Sequence, residues 1–136
     1  MLESSTVPRG VPQLAGKSIL IVEDEPLLGL EWSLLLEKEE ARVARAHNGE
    51  QALELLQRGL APKLVLLDML MPVADGWRFL ERLKKHEAMA SVPIVIVTGL
   101  GAASREWAKS LGAVDFLRKP VEADELIRMV QRNCAD

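Results

Sequence analysis

Cysteine is nearly absent: the chain of 136 residues has one, Cys134, close to its end. A lone thiol closes no internal disulfide, which excludes a disulfide-stapled secreted domain and suits a reducing cytosol. A basic excess is absent too, since 17 lysines and arginines face 20 aspartates and glutamates, for a net charge of -3. That balance gives no electrostatic footprint for nucleic acid or an anionic membrane. No apolar run approaches the roughly 18 residues of a membrane span, and no basic stretch leading into an apolar one opens the chain. A soluble, cytoplasmic protein is expected. Hydrophobic residues make up 49% of the chain, and a chain of this length can bury roughly two-thirds of its surface, so one domain with a conventional core is expected.

The first 16 residues, MLESSTVPRGVPQLAG, mix prolines, glycines and small polar residues without periodicity. They read as a loose lead (1–16) to an ordered domain (17–134). From Lys17 onward short apolar runs recur: SILIV (18–22), RVARA (42–46), KLVLL (63–67), PIVIV (93–97) and AVDFL (113–117). Three are continuously apolar, as strands covered on both faces are. Between and after them lie helical stretches at about 26–38, 49–58, 76–86, 102–111 and 121–133. Asn48 with Gln51 forms a capping box for the second helix, and Gly59 and Gly112 stop the second and fourth. Five strand-helix alternations predict an α/β doubly wound parallel sheet of order 2-1-3-4-5. In such sheets ligands bind beyond the carboxyl ends of the strands, where strand order reverses.

The residues at those ends are chemically distinctive. Strand 1 runs into Glu23, Asp24 and Glu25, strand 3 into Asp68, strand 4 into Thr98, and strand 5 is followed by Lys119 and Pro120. Each has an ordinary structural use alone, as a cap, a turn or a surface charge; converging on one edge, they describe a single site. Two carboxylates about 5 Å apart repel by roughly 3 kcal/mol at an effective dielectric near 20, so Glu23, Asp24 and Asp68 together call for a cation. Oxygen ligands with no histidine or cysteine among them favour Mg2+. His47 and His86 fall in a loop and at a helix end, as ordinary surface residues.

The motifs IVEDEP, LLDMLMPVADG, VTG and GAVDFLRKP, in this order and spacing over about 17–133, resemble the receiver domains of two-component response regulators. The resemblance implies a flavodoxin-like receiver fold, chemotaxis-regulator-like, that takes a phosphoryl group from a phosphohistidine or small phosphodonor. It implies that Asp68 is the phosphoacceptor, that Asp24 binds Mg2+ directly and Glu23 through water, and that Asp68 and the Leu70 backbone carbonyl complete the metal site. It implies further that Thr98 and Lys119 bind phosphoryl oxygens, that Thr98 and Phe116 form the switch, and that the bond to Pro120 is cis. Met71 and Pro72 shape the following loop and Gly76 permits a turn into the third helix. Phe116 lacks the hydroxyl of the commoner tyrosine, and Leu70 and Leu100 stand at variable positions that tune phosphoryl lifetime. Such a domain is a phosphoacceptor rather than a turnover enzyme.

Partners follow from the same resemblance: a histidine kinase or histidine phosphotransfer protein as donor, and a target or second copy at the face of helix 4, strand 5 and helix 5. Trp107 and Leu111, four apart, are expected to share a flank of that face near Ile127. In the first helix, Leu28, Trp32, Leu35 and Leu36 cluster on one side, expected toward the sheet. Leu27, Leu30 and Leu34 lie roughly 150° away and are expected to be exposed beside Asp68, where a donor's helical bundle could dock. The short lead and initial Met mildly favour a stand-alone receiver over one excised from a hybrid kinase or multidomain regulator. Two rivals share the sheet. A Mg2+-dependent aspartate-nucleophile phosphatase places a second acid where this chain has Leu70, and a flavin carrier needs a phosphate loop where Glu23, Asp24 and Glu25 would repel phosphate.

Overall fold

The computed structural model describes residues 11–68, 73–86, 90–99, 101 and 103–134, with the backbone alone at 73–77. Its elements are β1 (Ser18–Val22), α1 (Pro26–Lys38), β2 (Arg42–Ala46), α2 (Gly49–Gln57), β3 (Leu64–Asp68), α3 (Val73–Lys85), β4 (Ile94–Thr98), α4 (Arg105–Ser110), β5 (Asp115–Arg118) and α5 (Ala123–Asn133). The sheet order is β2-β1-β3-β4-β5, and every pairing is parallel. The expected architecture is therefore the observed one.

The continuously apolar strands supply two cores because successive side chains leave opposite faces of a strand. Leu20, Val22, Val65, Leu67, Ile94 and Ile96 pack beneath Ala52 and Leu53 of α2, Phe79, Leu80 and Leu83 of α3, and Ala108 of α4. Ile19, Ile21, Leu64, Leu66, Val95 and Val97 pack on the other face against Trp32 and Leu36 of α1 and Leu126, Met129 and Val130 of α5. Neither layer tolerates a polar strand interior, and none of the strand residues in these two sets is exposed.

Local chemistry fixes the helix ends. Asn48 Oδ1 accepts the Gln51 N–H at 2.8 Å, and Gln51 Oε1 accepts the N–H of His47 at 2.7 Å. The reciprocal half of the capping box thus reaches one residue beyond the cap. Gly59 and Gly112 take φ of 108° and 94° after α2 and α4, a region open to glycine without steric cost. Three helix starts differ from the sequence expectation. Helix α3 begins at Val73, so Gly76 lies inside it instead of turning into it. Helix α4 starts only at Arg105 because the Ser104 hydroxyl caps it, accepting from Trp107 N. Helix α5 likewise starts at Ala123.

The lead also needs correction. Leu14 is fully buried in the α1/α5 core, and the N–H groups of Leu14 and Gly16 donate to the carbonyls of Glu39 and Glu40. Residues 13–16 therefore belong to the domain, clasping the end of α1 where Glu40 turns with φ of 66°. One leucine among prolines and glycines carries no periodic signal, so its burial is invisible without the tertiary contact. Leu14→Ala is expected to lower stability by about 2–5 kcal/mol, read from the midpoint of denaturant unfolding. A loss below about 0.5 kcal/mol, the range of surface substitutions, would mean that the lead is not part of the core.

The first helix follows its expected division. Trp32 and Leu36 are buried, with Leu28 and Leu35 packed against the same core, whereas Leu27, Leu30 and Leu34 are 79%, 41% and 58% exposed. Leu111 does not follow expectation. It is 8% exposed and packs in the core, because the turn after α4 folds it beneath the helix, so it shares no exposed flank with Trp107. Trp107 itself is half-buried against that core, and Ile127 is half-buried on α5.

Candidate functional site

In the observed sheet, the chain leaves β1 toward β2 on one side and returns to β3 on the other. The ends of β1 and β3 therefore adjoin at the reversal point, and residues that follow both strands must meet there. Val22 pairs in register with Leu67, so Glu23 and Asp68, each next in sequence, are neighbours. Both are buried, at 3% and 1% exposure, while Asp24 is exposed. One carboxylate oxygen from each of Glu23, Asp24 and Asp68 lies within 4.8 Å of the others.

Short-range bonds set the loop that carries the acids. Glu23 Oε2 accepts the Glu25 N–H at 3.1 Å, which turns the chain into α1, whose first residue is Pro26. From β2, Arg45 Nη2 donates to the Pro26 carbonyl at 2.8 Å. Its guanidinium passes close to Gly29, where an added Cβ would stand 3.3 Å from it. A glycine at this point of the helix leaves room for that close approach.

Lys119 closes the site from β5. Its Nζ donates to Asp68 Oδ2 at 3.0 Å and pairs with Glu23 Oε1 at 3.4 Å. Its N–H donates to the Thr98 carbonyl at 2.8 Å, tying it to the end of β4, where Thr98 is fully buried. The bond from Lys119 to Pro120 is cis, as expected. The ammonium also stands 5.9 Å from the centre of the Trp32 ring, inside the reach of a cation–π contact. The sequence assigned Trp32 only to packing; its approach to Lys119 joins distant segments and leaves no local trace.

Charge in this cluster is unevenly held. Burial first, then the hydrogen bond and negative charge of Asp68, push the Glu23 carboxyl from 4.5 up to about 8, against the opposing pull of the Glu25 N–H and Lys119. For Lys119, burial is the largest influence and favours the neutral amine, yet Asp68 and Glu23 together outweigh it and raise the group above 10.5. Glu23 Oε1 is buried and accepts no hydrogen bond. At 3.4 Å the Lys119 contact is Coulombic attraction rather than a formed bond. An orphaned carboxylate oxygen among three acids is the arrangement a hard divalent cation satisfies.

The remaining expected residues divide into two groups. Phe116 is half-buried on β5, paired in register with Ile96. Leu70, Met71, Pro72 and Leu100 lie outside the described residues. So does the expected backbone ligand of Leu70. His47 and His86 are exposed and away from the acids.

Comparison with known proteins finds similar chains and similar folds. The profile of the response regulator receiver domain matches residues 19–131. The chain is 33% identical over 113 residues to Protein PilH of Pseudomonas aeruginosa, covering 82% of this chain and 93% of that one. Among solved structures, a putative response regulator from Chloroflexus aurantiacus superposes with a TM-score of 0.80 at 31% identity, over 89% of this chain and 99% of the other. The receiver domain of a sensor histidine kinase from Pseudomonas aeruginosa, determined with a magnesium ion coordinated in its active site cleft, gives a TM-score of 0.79 at 31% identity. That match covers 90% of this chain and 100% of the other.

Proposed function

This chain belongs to the response regulator receiver domain family of two-component signalling, and on that premise we propose that Asp68 is its phosphoacceptor. The observation that carries the assignment is the buried Asp68 carboxylate at the reversal point, held by Lys119 at 3.0 Å beside two further acids. An Asp68 oxygen attacks the phosphorus of a phosphohistidine or small acyl phosphate. The new bond is the acyl phosphate P–O bond. The donor's P–N or P–O bond breaks, and its electron pair leaves with the imidazole or carboxylate. The rigid end of β3 fixes the nucleophile's position, which is most of what such a transfer requires of a protein. Intact-mass measurement after treatment with a small phosphodonor and Mg2+ tests the reading: one added phosphoryl group supports it, and none refutes it.

Asp24, Asp68 and the Leu70 carbonyl would hold Mg2+ directly, and Glu23 would hold it through water. When bound, that ion supplies positive charge against the acid cluster and the transferring phosphoryl group. Lys119 would shift from Asp68 to a phosphoryl oxygen, and the Thr98 hydroxyl would donate to another. Hydrogen bonds to a charged group contribute about 1.5–3 kcal/mol each, so the pair could supply about 3–6 kcal/mol. Inverting a population from 1:99 to 99:1 needs about 5.5 kcal/mol. Phosphorylation thus has enough energy to move Thr98 and Phe116 most of the way to a second state, which a partner completes. The domain would act as a cytoplasmic switch rather than a turnover enzyme. Its output surface would include Trp107 and Ile127 on the face of α4, β5 and α5.

The donor would be a histidine kinase or histidine phosphotransfer protein docking on the α1 stripe. Leu27, Leu30 and Leu34 form an exposed apolar row on the helix that begins just after the acids, a surface suited to a helix-on-helix contact. Leu27→Ser combined with Leu30→Ser is expected to slow transfer from the cognate histidine protein about tenfold or more, since removing two contact leucines costs upward of 1.4 kcal/mol. Labelling by a small phosphodonor should stay near wild type. Equal slowing with both donors would point to a damaged site, and no slowing with either would reject the stripe.

A further inference from the structure

Phe116 and Arg118 are two residues apart on β5 and so project from the same face of the strand. The Arg118 guanidinium lies 5.2 Å from the centre of the Phe116 ring, and its Nη2 donates to the carbonyl of Ala103. Ala103 is buried and immediately precedes Ser104, the cap of α4. Arg118 is also the register partner of Thr98. One side chain therefore touches the aromatic ring of β5 and the backbone from which α4 starts, beside the strand end that carries Thr98.

The start of α4 has a second tie to β5, because Arg105 Nε pairs with the buried carboxylate of Asp115 at 3.1 Å. Asp115 Oδ1 also accepts the Phe116 N–H at 2.9 Å. That tie holds α4 to the strand backbone and is indifferent to the ring of Phe116. The ring, a bare phenyl, has no atom of its own with which to bond the α4 lead. The arginine contacts both the ring and the carbonyl of Ala103.

We propose that Arg118 is a positioning residue that links the Phe116 ring to the start of α4, so that movement of the ring is transmitted to Ala103 and Ser104. The inference rests on the switch reading of Thr98 and Phe116 given above. Its physical content is a divided contact. The planar guanidinium can keep one N–H on the Ala103 carbonyl while its face stays against the ring, so a shift of the ring drags the donor and changes the bond to the loop. Lysine retains the charge and a donor but not the planar face. Leucine retains neither.

The test uses the full chain with Mg2+ and beryllofluoride, a phosphoryl mimic. The sequence has only two phenylalanines, Phe79 and Phe116, so fluorine-labelled phenylalanine gives a separable signal for the Phe116 ring. Carbonyl labelling at alanine and the amide of Ser104 report the start of α4. In the wild type both reporters are expected to shift together. In Arg118→Leu, labelling of Asp68 and the Phe116 shift should persist, while the Ala103 and Ser104 shifts fall about 2- to 5-fold, the factor a surface cation–π contact contributes. Arg118→Lys should fall between. Arg118 is exposed, and an unchanged melting temperature would exclude unfolding as the cause. Shifts at Ala103 and Ser104 that survive intact in Arg118→Leu would overturn the link, as would equal loss at all reporters, which would place Arg118 at the phosphoryl site. A wild type that takes no phosphoryl group or shows no shift would instead overturn the switch reading, and this inference with it.

Discussion

Asp68→Asn is expected to abolish uptake of the single phosphoryl group while leaving the domain folded. The amide has nearly the shape of the carboxylate and can still accept from Lys119 Nζ, which now stands 3.0 Å from Asp68 Oδ2. What it lacks is the anionic oxygen that forms the new P–O bond. The exchange also removes the negative charge that helps push Glu23 upward, so the cluster loses a repulsion along with an ion pair and the fold should survive. Intact mass after treatment with a small phosphodonor and Mg2+ is the measurement. The wild-type adduct should be lost on treatment with hydroxylamine, which cleaves an acyl phosphate. A variant labelled as fully as the wild type, and equally sensitive to hydroxylamine, would move the phosphoacceptor to another carboxylate.

Magnesium affinity is expected to rise by about tenfold per pH unit between pH 6 and pH 8, roughly 100-fold in all, and then to level off. A carboxylate binds metal in its deprotonated form, so the ion must displace whatever proton the site holds. Glu23 holds one up to about pH 8 because it is buried beside Asp68. For folding without metal, the sign runs the opposite way. The folded protein keeps the Glu23 proton across a window, from 4.5 to about 8, in which the unfolded chain has lost it. The folded state therefore binds more protons there, and its stability declines as pH climbs through that window. Mg2+ offsets the decline, so the rise in melting temperature on adding Mg2+ should be larger at pH 8 than at pH 6. Titration calorimetry at several pH values gives the slope directly. In Glu23→Gln the slope should flatten, since the neutral amide has no proton to lose. A wild-type affinity that is flat from pH 6 to pH 8 would show that Mg2+ displaces no proton from Glu23 in that range.

The sequence by itself determined the architecture and which charged side chains share one edge of the sheet. Five apolar strands alternating with helices admit few packings, and right-handed parallel crossovers bring every strand's carboxyl end to one edge. Glu23, Asp68, Thr98 and Lys119 follow or finish strands, so their meeting is a consequence of strand order. Strand positions were legible to within about two residues, because alternation sends neighbours to opposite cores and leaves little freedom in the register. The two faces of α1 were legible for a similar reason, as 100° per residue separates Trp32 and Leu36 from Leu27 and Leu34.

Only the tertiary structure decided the rest. The burial of Leu14 depends on the end of α1 and on α5, which no pattern around Leu14 announces. Leu111 lies at the helical spacing from Trp107, yet the turn at Gly112 carries it inward. The proton on Glu23 depends on how much water is excluded and on the place of Asp68, quantities that spacing along a chain does not contain. The grip of Arg118 on both Phe116 and Ala103 likewise joins strand and loop across the fold. Periodicity is a local property and survives in the sequence; desolvation and long-range contact are properties of the packed molecule, set by distances that exist only after the chain has closed on itself.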